Sequence, residues 1–330
     1  MKESDIEISV VVPVYREERS IRPFLRRAEA VLAELGVPYE VIFALDPSPD
    51  GTEAVILEEI ERNPSIRLLV FSRRFGQPVA TMAGILSCRG RTCVVIDVDL
   101  QDPPELIRTM FEKLGTGYDV VYARRRSRKG ETLVKRVVSW LGYAVIDRLS
   151  EVRIPRNTGD FRIMTRRVVE ELRRLNESHG FLRGLVAHVG FRQTFVDYDR
   201  DERFAEKGKY NRLTGSLRIG LNGLVAFSSR PLQLMSVAGA MVTGLSLALG
   251  AWTLIQRFAG ARLDHGLPAT VLVVAFFSGI QLLALGLMGE YVGRIYDEVK
   301  RRPPFVLDRR VNFDEDESRA VAAGAPEGRE

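Results

Sequence analysis

Between Ile8 and Arg124, short runs of β-branched and other apolar residues alternate with segments whose apolar positions recur at helical spacing. The runs predict strands at Ile8–Pro13, Tyr39–Leu45, Ile66–Phe71, Thr92–Asp97 and Asp119–Ala123. The segments between them predict helices over 19–35, 52–62, 77–88 and 104–114. Val10-Val11-Val12 and Val94-Val95-Ile96 are apolar without interruption, as strands covered on both faces should be. The alternation predicts an α/β domain with a mostly parallel sheet.

After this domain the pattern changes. Segment 125–229 is irregular, with a helix expected near 132–149 and a strand near 193–199. Residues 210–231 mix Leu, Ile and Phe with Arg212, Arg218 and Arg230, which reads as amphipathic helix at a membrane surface. Leu232–Gln256 and Pro268–Gly289 then run without a charge for about 20 residues or more each, enough to span a bilayer. Buried core helices are the alternative, but uncharged runs of that length seldom occur in soluble domains. Lys and Arg flank both outer ends, so the positive-inside rule predicts a hairpin with both ends in the cytoplasm.

The expected organisation is thus an α/β domain over 1–209, interface helices over 210–231 and a hairpin over 232–293. A cytoplasmic tail, partly disordered, follows over 294–330. Ala240, Gly244 and Ala248, then Gly289 and Gly293, carry small residues at intervals of four. That spacing lets helices approach closely, within the hairpin or in a homo-oligomer. The N-terminus is polar and acidic, without a secretory leader, which places the soluble part in the cytoplasm of a multi-pass plasma (inner) membrane protein.

Charge adds one constraint. With 48 Lys and Arg against 43 Asp and Glu, the net charge is +5, which suits an anionic surface or an anionic ligand. No nucleic-acid-binding motif accompanies it, so nucleic acid is not the expected partner. Cys88 and Cys93 have neither a second pair nor a nearby His, and read as buried packing residues in a reducing compartment.

In a parallel sheet, ligands bind beyond the carboxyl ends of the strands. The residues there are Pro13 to Glu17, Asp46 to Asp50, Ser72 to Gly76 and Asp97-Val98-Asp99. The first strand is not followed by GxGxxG, which argues against a dinucleotide-dependent dehydrogenase. Asp97 and Asp99 offer two carboxylates, which in an extended strand end would face one side and suit a hard divalent cation bridging to phosphates. Leu100-Gln101-Asp102-Pro103-Pro104-Glu105 then opens a helix with prolines in its first turn.

These motifs resemble the bacterial polyprenyl-phosphate glycosyltransferases, relatives of dolichyl-phosphate mannose synthase within glycosyltransferase family two. The resemblance runs from about Ile8 to beyond Gly293. It rests on Val11 to Glu18, Asp50-Gly51-Thr52, Ser72 to Gln77, Asp97 to Glu105, Lys129-Gly130-Glu131, Thr158-Gly159-Asp160-Phe161-Arg162, Phe181 to Gly184 and Gly190-Phe191. It implies a GT-A fold and transfer of a sugar from a nucleotide-sugar donor, with UDP-glucose the first expectation, to undecaprenyl or another polyprenyl phosphate. Pro13, Tyr15, Glu17, Asp46 and Arg73 would serve the nucleotide. Asp97, Asp99 and Gln101 would hold Mg²⁺ or Mn²⁺. Asp160 would join the two acids in catalysis. Arg124, Arg128, Lys135, Arg203 and Lys209 would meet the acceptor phosphate.

The chain departs from the family pattern at Leu45-Asp46-Pro47-Ser48, which keeps one acid of two, and at Glu206-Lys207-Gly208-Lys209-Tyr210. The basic cluster from Arg124 to Arg136 has two readings, a face drawn to anionic lipid and a phosphate site. A processive synthase would carry more spans and a Gln-x-x-Arg-Trp motif, neither of which is present. A transferase with another acceptor, or a membrane-tethered nucleotide-sugar binder without turnover, are the remaining alternatives.

Overall fold

The computed structural model describes residues 5–126, 155, 158–175, 182–199, 230–259, 267–300 and 302–313. The helix expected near 132–149 and the interface helices over 210–229 lie outside the described residues. So do Arg128, Lys135, Arg203 and Lys209.

Eight strands among the described residues build one sheet: β1 (Ile8–Val14), β2 (Tyr39–Leu45), β3 (Ile66–Phe71), β4 (Thr92–Val95), β5 (Val120–Arg125), β6 (Thr158–Thr165), β7 (Gln193–Tyr198) and β8 (Leu307–Val311). Their order across the sheet is β7-β5-β6-β4-β1-β2-β3-β8. β4, β1, β2 and β3 run parallel, as do β5 and β7. β6 is antiparallel to both its neighbours and β8 is antiparallel to β3. Every residue of β1, β3 and β4 is buried, which is why their sequences lack polar alternation.

The crossovers are α1 (Ile21–Leu35), α2 (Thr52–Arg62), α3 (Gln77–Ser87) and α4 (Leu106–Leu114). α1 buries Ile21, Phe24, Leu25, Ala28, Val31 and Leu32, an i, i+3, i+4, i+7 stripe laid on the sheet. α5 (Arg166–Arg174) and α6 (Leu182–Val189) complete this unit.

Two differences from the sequence reading bear on function. The strand expected to reach Asp97 stops at Val95, and the chain turns at 98–99 with Leu100 at φ 60°. The acid pair is therefore held by a turn, in which Asp99 Oδ1 accepts the Gln101 N–H at 3.1 Å. Residues 307–311, assigned from sequence to a tail, form β8 on the open edge of β3. Asn312 extends this seam by donating to the carbonyls of Pro64 and Ile66, both at 2.7 Å.

A second unit contains α7 (Arg230–Phe258) and α8 (Leu267–Val299), which touch each other. Large apolar side chains on both stand exposed, among them Leu245, Trp252, Phe276, Leu282 and Leu285. Phe276–Val299 is 24 residues with mean hydropathy 1.2 and is long and apolar enough to cross a membrane. The apolar run in α7, Leu232–Ala248, is shorter.

Candidate active site

β1, β2, β3 and β4 are parallel, so the loops after them emerge at one end of the sheet. The loops after β1 and β2 are laced together. Ser48 Oγ accepts the Arg16 N–H at 3.0 Å and donates to the Asp46 carbonyl at 3.1 Å. Thr52 Oγ1 accepts the Glu17 N–H at 3.0 Å and donates to Asp50 at 2.7 Å. Glu18 accepts the Gly51 N–H at 3.0 Å. Asp50-Gly51-Thr52 thus works as a clasp between two loops.

Asp46, 2% exposed, gives one oxygen to the Phe75 N–H at 2.9 Å and the other to the Gly76 N–H at 2.8 Å. Its carboxylate fixes the loop between β3 and α3. Gly76 has φ 92°, a conformation a side chain would resist. Arg74 of this loop stacks on the Tyr15 ring at 4.0 Å, and Arg16 lies over the same ring at 5.3 Å. Arg73 lies instead over Phe75, at 4.0 Å. Pro13 is buried inside β1, opposite Ala44. Tyr15, Glu17, Asp46 and Arg73 therefore gather at the mouth of the first three strands, with Asp46 committed to the backbone of the third loop.

Asp97 accepts the Gln77 side-chain amide at 2.8 Å, which links the acid pair to the start of α3. Among the described residues no cluster of three or more His, Cys, Asp or Glu forms a metal site. Two carboxylates with a neighbouring amide suit a divalent ion that takes its remaining oxygen ligands from diphosphate and water.

β6 runs antiparallel to β4, so it enters the sheet at the same end and brings Thr158-Gly159-Asp160 beside the acid-bearing turn. Asp160 Oδ1 accepts Arg183 Nε at 3.0 Å and Arg162 Nη2 at 3.2 Å. Burial pushes this carboxyl upward, but the charges of Arg183, Arg162 and Arg125 outweigh it and hold it below the ordinary carboxylate range. Arg162 is itself fully buried, stacked over Tyr122 at 5.4 Å.

Strand parity separates two adjacent arginines. Arg124 aligns with Asp197 and Arg125 with Tyr198 in the β5–β7 register. Arg124 makes a two-pronged pair with Asp197, at 2.6 and 2.9 Å, on one face. On the other face Arg125 Nε donates to the Tyr198 hydroxyl at 3.1 Å, and Arg125 Nη2 lies 3.6 Å from Asp102. The Tyr198 hydroxyl also donates to Asp102. Burial pulls Arg125 down, yet Tyr198, Asp102 and Asp97 together raise it, so it stays a cation. Arg125 lies within the electrostatic reach of both Asp97 and Asp160. The sequence singles out Arg124 at the strand end, holds Arg125 only as one of the basic cluster and gives Asp102 and Tyr198 no role of their own; the cross-strand register distinguishes the two arginines.

The solved mannosyltransferase PcManGT from Pyrobaculum calidifontis, in complex with GDP-Man and Mn2+, has 18% identity and a TM-score of 0.45, covering 89% of this chain and 85% of its own. The glycosyltransferase YkcC of Bacillus subtilis is 41% identical over 92% of this chain and 94% of its own. The SfII prophage-derived bactoprenol glucosyl transferase of Shigella flexneri is 35% identical over 92% of this chain and 98% of its own. The family model for glycosyl transferase family 2 matches residues 9–173, which hold the loops after β1 to β4 and the Asp160 segment. With its mostly parallel α/β sheet and the acid-bearing turn after β4, the chain belongs to glycosyl transferase family 2 and has a GT-A-like fold.

Proposed function

We propose that this glycosyltransferase moves glucose from UDP-glucose to a polyprenyl phosphate, undecaprenyl phosphate in the first instance, by a single inverting displacement. The observation that carries the acceptor is Phe276–Val299, a helical stretch long and apolar enough to cross a membrane whose apolar window is not buried, in the same chain as the catalytic sheet. A polyprenyl phosphate is itself held in the bilayer, so an enzyme that acts on it gains from such a surface. The bactoprenol glucosyl transferase of Shigella flexneri aligns over 92% of this chain, a length that reaches past the sheet domain into the apolar helices. In this reading α7 and α8 form a membrane hairpin. The catalytic unit stays on the cytoplasmic side, where Arg230 opens α7 and Lys300 and Arg302 follow α8.

The chemistry follows from the charges. A phosphate monoester has its second pKa near ~6 and is largely dianionic at neutral pH, so the acceptor is already a nucleophile. Asp160, held below the ordinary carboxylate range by Arg183 and Arg162, is a weak base. Its role is to orient substrate and to balance the arginines around it. Arg125, raised and fixed at the end of β5, meets the acceptor phosphate, whereas Arg124 is occupied by Asp197. Tyr15, Glu17 and the loop fixed by Asp46 receive the nucleoside. Asp97 and Asp99, with Gln101 beside them, would hold Mg²⁺ or Mn²⁺, which neutralises the departing diphosphate.

Purified protein in detergent, given undecaprenyl phosphate, Mg²⁺ or Mn²⁺ and a panel of labelled nucleotide sugars, should place label in the organic phase with UDP-glucose. EDTA and Asp99→Asn should abolish it. Label from a different donor would replace the sugar and keep the class. No extractable label with any donor, despite measurable nucleotide binding, would overturn the acceptor.

A further inference from the structure

We infer that Tyr198 and Asp102 are positioning residues that aim Arg125 at the acceptor phosphate. This rests on the assignment of Arg125 above and extends it to two residues that would not touch substrate. Asp102 is 1% exposed and Tyr198 5%, and neither has a reason in the nucleotide chemistry to be buried together. A buried carboxylate needs partners. Asp102 takes the Tyr198 hydroxyl and the charge of Arg125, whose Nη2 lies 3.6 Å away.

The result is a chain of contacts with a direction. Asp102, on the loop after β4, holds the Tyr198 hydroxyl at the end of β7. That hydroxyl accepts Arg125 Nε at 3.1 Å, which fixes one edge of the guanidinium. The planar fork then presents its outer nitrogens in one orientation, the arrangement a phosphate rewards with paired hydrogen bonds.

Gly159 supplies the fit from the third side. A Cβ built there would stand 2.9 Å from Arg125 Nη2 and 3.8 Å from Asp102. The guanidinium thus occupies the space that a side chain at 159 would fill. Three strands meet around this one side chain: β5 carries it, β7 supplies the hydroxyl and β6 supplies the gap. Since β6 also carries Asp160, the same packing sets the distance between cation and acid.

The test is a double-mutant cycle on the full-length protein in detergent, with undecaprenyl phosphate and UDP-glucose as the varied substrates. Tyr198→Phe should raise the KM for the lipid phosphate about five- to tenfold, the effect of one lost hydrogen bond, and leave the UDP-glucose KM unchanged. Arg125→Ala should raise the same KM further. Because Tyr198 acts through Arg125, the double variant should be no worse than Arg125→Ala alone. Gly159→Ala should reproduce the Tyr198→Phe pattern by displacing the guanidinium.

Additive losses in the double variant, or a Tyr198→Phe effect on both KM values, would overturn the positioning role. Arg125→Ala raising the lipid-phosphate KM while Tyr198→Phe leaves it unmoved would sink the role of Tyr198 alone. Arg125→Ala without effect on that KM would instead remove the underlying assignment of Arg125.

Discussion

Asp160 sits between a fully buried arginine and a second arginine from α6, and this governs how the residue should respond to pH and to substitution. Asp160→Asn leaves Arg162 without its counter-charge and should destabilise the catalytic unit by about 2–4 kcal/mol, read by urea or thermal unfolding. The sign of the pH dependence follows from the lowered carboxyl. Its contribution is complete above the ordinary carboxylate pKa of about 4 and is lost as pH falls through the lower folded value. The wild type and the variant should therefore differ fully at neutral pH and converge only in acid. In catalysis, an acid limb near pH ~6 belongs to the acceptor phosphate and should persist in Asp160→Asn at reduced height. A limb that disappears in the variant would make Asp160 the titrating base. At Gly76, the left-handed φ and the N–H bond to Asp46 make Gly76→Ala costly, by about 1–3 kcal/mol. Weakened binding of the nucleotide-sugar donor should accompany it, measured by calorimetry.

At the scale of elements, the period of a strand decides what each of two neighbouring arginines meets. Arg124 and Arg125 point to opposite faces of β5, the first to an exposed pair with Asp197, the second to Asp102 and Tyr198. Arg124→Ala should change the lipid-phosphate KM by no more than about twofold, since exposed pairs contribute little. A loss as large as that of Arg125→Ala would mean that Arg124 leaves Asp197 to bind substrate. β8 carries a second consequence. It covers the edge of β3, its neighbour Phe305 packs edge-on against Phe71, and the Val306 carbonyl accepts the Ser72 N–H at 3.0 Å. Removing residues 303–330 bares an apolar strand edge beside the loop that Asp46 organises. Such a protein should unfold at lower temperature and aggregate, as followed by light scattering.

For the whole molecule, two kinds of membrane attraction can be separated. The net charge of +5 would draw the protein to anionic lipid through contacts that fade within a Debye length of about 10 Å at 0.1 M salt. The apolar surfaces of α7 and α8 would hold it independently of salt. Membranes from cells expressing the protein should keep it through a wash at about 1 M salt, where charge attraction is screened. Release into the wash would leave charge as the anchor and remove the proposed hairpin.

Much of the architecture could be read from local pattern, because its cause is local. β2, β3, α2 and most of β1, α1, α3 and α4 lie where apolar runs and helical spacing place them, since burial on both faces writes itself into each strand separately. The acids at 97 and 99 could be named because their chemistry marks them, and Asp160 only through the family resemblance of its segment. β6 was seen as a motif and not as a strand, since Gly159, Asp160 and Arg162 interrupt its apolar pattern, and its antiparallel place between β4 and β5 is a long-range pairing. β8 is short and carries Asp308, Arg309 and Arg310, the charges an edge strand bears, so nothing local distinguishes it from a tail. The sequence by itself determined most of the strand and helix segments from β1 to β5 and the chemical types at the ends of those strands. Tertiary structure alone decided that Arg125 and not Arg124 faces Asp102, and that Asp46 holds a loop. It also decided that the stretch after α8 closes the sheet. Each of these depends on register between segments distant in the chain, a quantity that no local pattern contains.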